Sequence, residues 1–270
     1  MDRQKVILIT GASSGFGLVT ATELVKHGHV VYGTSRRGGE GGEGVRMLAM
    51  DVTDKGTIKA AVELVMAEQG RIDVLINNAG VGIGGAIELA TDKEIEWQMG
   101  TNFMGMANMC GAVLPLMRRQ RSGCIINISS IAGVMAVPFQ GFYSASKYAI
   151  EGYSEALAME VYPYGIRVCL VEPGDFNTNF TANRNVSEAT MACEDYKGNF
   201  ERSLKVIEEE ERGGSKPIEL ARAICRIVRR RNPPFRTKVG PWFQVMLARV
   251  RWMFPNKLLA KALRWFYKIR

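Results

Sequence analysis

Hydrophobic positions in the first two thirds of the chain fall into short β-branched runs separated by longer stretches of helical spacing. The runs Val6–Thr10, Val30–Thr34, Arg46–Met50, Val74–Asn77, Cys124–Ser129 and Arg167–Glu172 predict strands, too uniformly apolar to leave one face in water. Phe16–His27, Lys55–Gln69, Lys93–Arg119 and Phe142–Tyr162 predict helices, as the spacing of Leu18, Ala21, Leu24 and Val25 illustrates. Right-handed crossovers then make one α/β domain, a single doubly wound parallel sheet with helices on both faces.

Three segments break the alternation. Gly38-Gly39-Glu40-Gly41-Gly42-Glu43-Gly44 reads as a flexible surface loop. Residues 179–216 carry a polar, acidic helix around Tyr196–Glu211, closed by Gly213-Gly214 and Pro217. As an insertion after the sixth strand it belongs at the carboxyl edge of the sheet, where ligands bind in such folds. Residues 1–240 are thus expected to form the main domain, with 179–216 as a substrate loop, and 241–270 a basic amphipathic extension.

Charge sharpens that division. Residues 1–211 hold 19 basic and 26 acidic side chains, whereas residues 212–270 hold 16 basic ones against Glu219 alone. The overall charge of +8 therefore belongs to the end of the chain, and no nucleic-acid motif accompanies it. The five cysteines are an odd number without a Cys-x-x-Cys pair, which argues against a disulfide framework and against a metal cluster. They read as packing residues. No secretory signal precedes Val6, which points to a cytoplasmic setting. His27 and His29 are the only histidines and lack suitable neighbours, so acid/base chemistry falls to carboxylates, Tyr, Lys or Cys.

Thr10-Gly11-Ala12-Ser13-Ser14-Gly15-Phe16-Gly17 follows the first strand and opens a helix. Glycines there let the backbone approach a pyrophosphate, which free N–H groups and the helix dipole favour, as in a Rossmann-type sheet. The second strand ends in Ser35-Arg36-Arg37 with no carboxylate for a ribose 2′-hydroxyl. Guanidinium groups can instead bind a 2′-phosphate, so NADP(H) is preferred over NAD(H) unless the arginines are merely solvated.

Tyr143 and Lys147 stand four apart on one helical face. A nearby ammonium stabilises phenolate and moves a phenol towards the working range, so Tyr143 could exchange a proton. Alone, such a pair on a helix surface is more often structural than catalytic. Ser129 and Ser130 end a buried strand 14 and 13 residues before Tyr143, where hydroxyls can orient a carbonyl oxygen towards it.

Taken together, the Thr10–Gly17 loop, Asp51-Val52, Asn77-Asn78-Ala79-Gly80, Asn102, Ser130, Tyr143-x-x-x-Lys147 and Pro173-Gly174 resemble the short-chain dehydrogenase/reductase family in order and spacing. The resemblance covers residues 4–180 and weakens to about residue 240. It implies metal-free hydride transfer between a nicotinamide and an alcohol or carbonyl carbon. By the same resemblance Tyr143 is the general acid/base, Ser130 binds the substrate oxygen, Lys147 reaches the nicotinamide ribose, and Asn102 holds a relay water. Gly11, Ser13, Ser14, Gly15, Phe16, Gly17, Ser35, Arg36, Arg37, Asp51, Val52, Asn78, Ala79, Gly80, Pro173, Gly174, Phe176 and Thr178 are expected to contact the cofactor, together with Tyr143 and Lys147. Phe16 and Asp175 are unusual within those motifs. The family also implies a homodimer or homotetramer built through the helices that begin near Lys93 and Phe142.

The expected function is NADP(H)-dependent interconversion of an alcohol with a ketone or aldehyde. Met135, Phe139, Phe142 and Phe180 suggest a bulky apolar substrate of steroid, retinol or long-chain type. The alternative is a silent member of the fold that binds nucleotide or a membrane, which the intact Tyr143, Lys147, Ser130 and Asn102 set disfavours. In the extension, Lys257, Lys261, Arg264 and Lys268 share one face, and Leu259, Ala262, Leu263, Phe266 and Ile269 lie opposite. That face could pack on its own domain or a sister subunit, cover a greasy substrate, or lie on an anionic membrane surface as a peripheral contact.

Overall fold

Val6 and Leu8 point to one side of the first strand and Ile7 and Ile9 to the other, and all four are buried. That alternation sets the layers of the computed structural model, which describes residues 3–270. Strands β1 (Val6–Thr10), β2 (Val30–Ser35), β3 (Arg46–Ala49) and β4 (Val74–Asn77) alternate with helices α1 (Gly15–Lys26) and α2 (Lys55–Gln69). A two-residue strand β5 (Ile83–Gly84) and helices α3 (Asp92–Met99) and α4 (Gly105–Gln120) follow, then β6 (Gly123–Ile128), α5 (Gly141–Val161) and β7 (Ile166–Pro173). After β7 come β8 (Asn185–Val186), α6 (Glu188–Ala192), α7 (Glu194–Gly213), α8 (Pro217–Arg229), β9 (Arg236–Val239), α9 (Trp242–Val250) and α10 (Asn256–Phe266).

The main sheet has seven parallel strands in the order β3-β2-β1-β4-β6-β7-β9, and β5 pairs with β8 apart from it. On one face Leu8, Leu75 and Ile125 meet Val62 and Val65 of α2, Met109 and Val113 of α4, and Ile150 and Leu157 of α5. On the other, Ile7, Ile76 and Val171 meet Ala21 and Leu24 of α1 and Leu220, Ile224 and Val228 of α8. Burying each such aliphatic side chain contributes about 1.5–3 kcal/mol, so both helical layers are held by the sheet.

The structure departs from the sequence pattern in three places. The single helix expected over 93–119 is two, joined by a π-helical turn at Gly100–Met104. Gly100, Thr101 and Asn102 are weak helix formers, and the extra residue of the π turn rotates Asn102 inward. Second, the sheet gains β9, whose sequence Arg-Thr-Lys-Val carries cations rather than a β-branched run. Arg236 is ion-paired with Glu151, Glu155 and Glu172, and Lys238 with Glu172, so basic residues assigned to the end of the chain neutralise carboxylates of the body. Third, the glycine-rich loop after β2 lies against its surroundings, with Gly41 on Met47 and Gly42 on Thr22.

The cysteines form no disulfides. The last two helices are not a detached appendage. Val245, Leu247, Ala248, Leu259 and Leu263 pack on Ile131, Val134 and Met135, and Ser203 of α7 donates to the Tyr267 carbonyl at 2.8 Å.

Candidate active site

Close backbone packing builds the first part of the site. A Cβ at Gly11 would lie 2.9 Å from Ala79 Cα, and one at Gly17 would lie 2.1 Å from the Gly11 carbonyl oxygen. Thr10 Oγ1 accepts from the backbone N–H groups of Asn78 and Ala79, each at 3.0 Å, and Asn78 Nδ2 donates to the carbonyls of Thr10 and Gly11. The loop after β1 is thereby locked to the end of β4.

At the start of α1 the N-cap Ser14 makes no side-chain cap and the first turn carries no acid. Gly15 has φ +52° with nothing within 4 Å of the place a Cβ would take. Uncapped N–H groups facing open space at a helix N-terminus suit a pyrophosphate. Ser13 and Ser14 are exposed beside them. The residues present therefore fit a dinucleotide.

Around the expected adenosine end, Ser35 Oγ donates to the Gly38 carbonyl at 2.6 Å, and Arg36 and Arg37 are exposed in the turn that follows. Asp51 Oδ1 accepts from Thr53 N and Oγ1 at 2.8 and 2.7 Å, which shapes the turn after β3. Val52 is buried against Gly105.

The acid/base set converges at the carboxyl ends of β6 and β7. Lys147 is buried on α5, its Nζ donating to the Ile128 carbonyl at 2.9 Å and lying 5.6 Å from the centre of the Tyr143 ring. Burial lowers its ammonium to about 8. Tyr143 is half-buried beside Ser130, whose hydroxyl donates to the Pro173 carbonyl at 3.3 Å. Its phenol is pushed up to about 12 by burial, with the nearby Ser130 hydroxyl pulling the other way. The lowering expected from Lys147 is not seen: removing water from the phenolate dominates, and the lowering influences come from Ser130 and Arg184.

Ser130 caps the short turn at Ile131–Gly133 by accepting from Ala132 N at 3.0 Å. Asn102, brought in by the π turn, accepts from Val81 N at 2.8 Å and donates through Nδ2 to the Val81 carbonyl at 3.0 Å and Ser146 Oγ at 3.1 Å. A Cβ on exposed Gly80 would stand 3.5 Å from Asn102 Oδ1.

Pro173 ends β7, and Gly174 N donates to the Val239 carbonyl of β9 at 2.8 Å. The ring of Phe176 is buried edge-on to Phe16 at 5.0 Å, so it braces the loop from within the core. Thr178 Oγ1 accepts from Phe180 N at 3.2 Å. Among the described residues no group of His, Cys, Asp or Glu could hold a metal ion.

Residues 5–189 match the short chain dehydrogenase family. The chain belongs to that family.

This dehydrogenase is 62% identical to a 3-ketodihydrosphingosine reductase of Bacteroides thetaiotaomicron across 98% of the chain and 99% of that protein. A short-chain dehydrogenase structure from Streptomyces avermitilis superposes with a TM-score of 0.81 at 32% identity, covering 97% of each chain. A 3-ketoacyl-(acyl-carrier-protein) reductase from Brucella melitensis, solved with NADH, matches at a TM-score of 0.73 and 25% identity over 88% of this chain and 98% of its own.

The dehydrogenase also has a side to its pocket that its motifs do not reveal. Phe180 lies 5.7 Å from the Tyr143 ring, and beneath it buried Arg184 is ion-paired with Glu211 of α7. Asp175, pushed up to about 6 by burial, accepts from Gln244 Nε2, while its own N–H donates to Gln244 Oε1 at 2.9 Å. Only the acidic helix after β7 signalled these groups. Gln244 sits in the extension, beyond any motif.

Proposed function

We propose that this oxidoreductase reduces the 3-keto group of a long-chain sphingoid base with NADPH. The likeness to the Bacteroides reductase over nearly the full length of both chains carries this reading. It narrows the apolar substrate classes suggested by the Phe- and Met-rich segments to the long-chain one. Exposed Arg36 and Arg37, with no ion pair among the described residues, support the phosphorylated cofactor.

When bound, the reduced nicotinamide supplies the hydride. Ser130 and Tyr143 orient the substrate carbonyl oxygen, and Tyr143 gives it a proton. A phenol near 12 keeps that proton at neutral pH, and an alkoxide is basic enough to take it. Charged Lys147 stabilises the phenolate left behind, and Asn102 fixes the Val81 loop against α5.

With 3-ketodihydrosphingosine in detergent micelles, NADPH oxidation should proceed with a kcat/KM at least about a hundredfold above that for retinal. Equal or better turnover of retinal or a steroid ketone would overturn the substrate. Arg36→Ala should weaken NADPH by at least about tenfold while NADH stays within about threefold, since only a 2′-phosphate loses a charged partner. Equal loss for both cofactors would overturn the role of Arg36.

The pH dependence follows from the same groups. Asp175 near 6 and Lys147 near 8 bound the range in which both are ionised. Because a lowered lysine is charged only below its pKa, the reduction rate should hold between these values and fall above the upper one. A rate that climbs steadily through pH 9, read from a stopped-flow profile, would count against charged Lys147.

A further inference from the structure

We infer that α9 and α10 seat the enzyme on the surface of a bilayer rich in anionic lipid. Residues 241–270 hold seven Lys and Arg and no Asp or Glu. Their two helices bury one side only, the side on Ile131, Val134 and Met135. Facing away from that seat, Trp242 is 75% exposed, Trp252 74%, Met253 80% and Trp265 82%, with Phe243 and Leu258 also more than half exposed. The apolar face expected from the sequence is thus divided: Leu259 and Leu263 pack inward, and a separate apolar set is presented outward.

On α10 that outward set is ordered. Leu258, Ala262 and Trp265 fall within about 60° of arc at 3.6 residues per turn, with Lys257, Lys261 and Arg264 along one flank. At the start of α9, Trp242 lines a cavity of about 410 Å³ with Arg222, Arg226 and Lys238 against the single acid Glu219. Exposed tryptophans bordered by cations are the composition that settles at the level of lipid headgroups, with rings among the upper acyl chains and ammonium groups at the phosphates. No helix among the described residues is long and apolar enough to cross a membrane, so the surface lies on the bilayer. A second copy meeting this surface through a two-fold axis would set cation against cation, whereas an anionic leaflet complements them.

The carbonyls of Tyr267, Lys268 and Arg270 accept from Ser203, Arg202 and Asn199 of α7, which holds the helices in place over the segment that follows Ser130. The seat therefore shares a wall with the candidate active site. Delivery of a long-chain substrate across that wall rests on the proposed function; docking itself does not.

The test uses the full chain with phosphatidylcholine vesicles, with and without about 30% phosphatidylglycerol. Cosedimentation should be at least about tenfold stronger with the anionic vesicles and be lost near 1 M salt, where the screening length is about 3 Å. Tryptophan emission should shift to the blue on binding, since three of the four tryptophans lie in the extension. Trp252→Ser with Trp265→Ser, and separately Lys257→Glu with Lys261→Glu and Arg264→Glu, should each weaken binding about tenfold or more without changing the melting temperature or the mass by light scattering. Absence of binding to anionic vesicles, undiminished binding by both variants, or a lower oligomeric mass in either would overturn the inference. Vesicle binding with no reduction of 3-ketodihydrosphingosine would leave docking standing and remove the substrate reading alone.

Discussion

Replacing Tyr143 by Phe is expected to lower kcat for ketone reduction by about 10²–10⁴-fold, the range contributed by a positioned general acid. The ring would keep its place beside Phe180 and under Lys147, because neither contact uses the hydroxyl. Binding of NADPH, followed by fluorescence titration, should change less than about threefold, which separates a lost proton from a lost pocket. A variant retaining a tenth of the parent rate would show that the proton comes from elsewhere.

The second large effect concerns stability. Glu172 is fully buried at the end of the sheet, and Arg236 bridges it to Glu151 and Glu155 of α5. Arg236→Ala strips a cation from these carboxylates; breaking a buried pair costs about 3–5 kcal/mol. Here Arg236 is partly exposed and Lys238 still faces Glu172, so about 2–3 kcal/mol is expected, at the lower end of that effect. In a domain of this size that lowers Tm by roughly 5–10 °C. The deficit should shrink as pH falls towards 5. Burial already holds the Glu151 carboxyl above the usual range, and a carboxyl raised in the folded state is relieved by taking up a proton. A melting temperature within about 2 °C of the parent at pH 8 would show that the cluster is not holding the sheet edge.

That cluster marks where sequence reasoning ends. The six predicted strands all form, because a buried parallel sheet demands uninterrupted apolar runs and those runs are visible as such. The seventh is invisible by the same rule: Arg236 and Lys238 look solvated until their partners on α5 and β7 are known. Tyr143, Lys147, Ser130 and Asn102 are legible from spacing and family resemblance, and the structure gathers them. What the spacing misses is environment: burial raises the phenol, and a π turn aims Asn102. Nor does spacing show that the ring of Phe176, at a motif position, is packed into the core.

The link between Gln244 and Asp175 has a practical side. Gln244 belongs to α9, yet it grips both the main chain and the carboxylate of Asp175, one residue beyond the Pro173-Gly174 bend. The terminal carboxyl residue is itself moored to Asn199. Mechanical load on the last thirty residues is therefore passed to the floor of the reaction chamber, and an affinity tag fused after Arg270 is no remote handle.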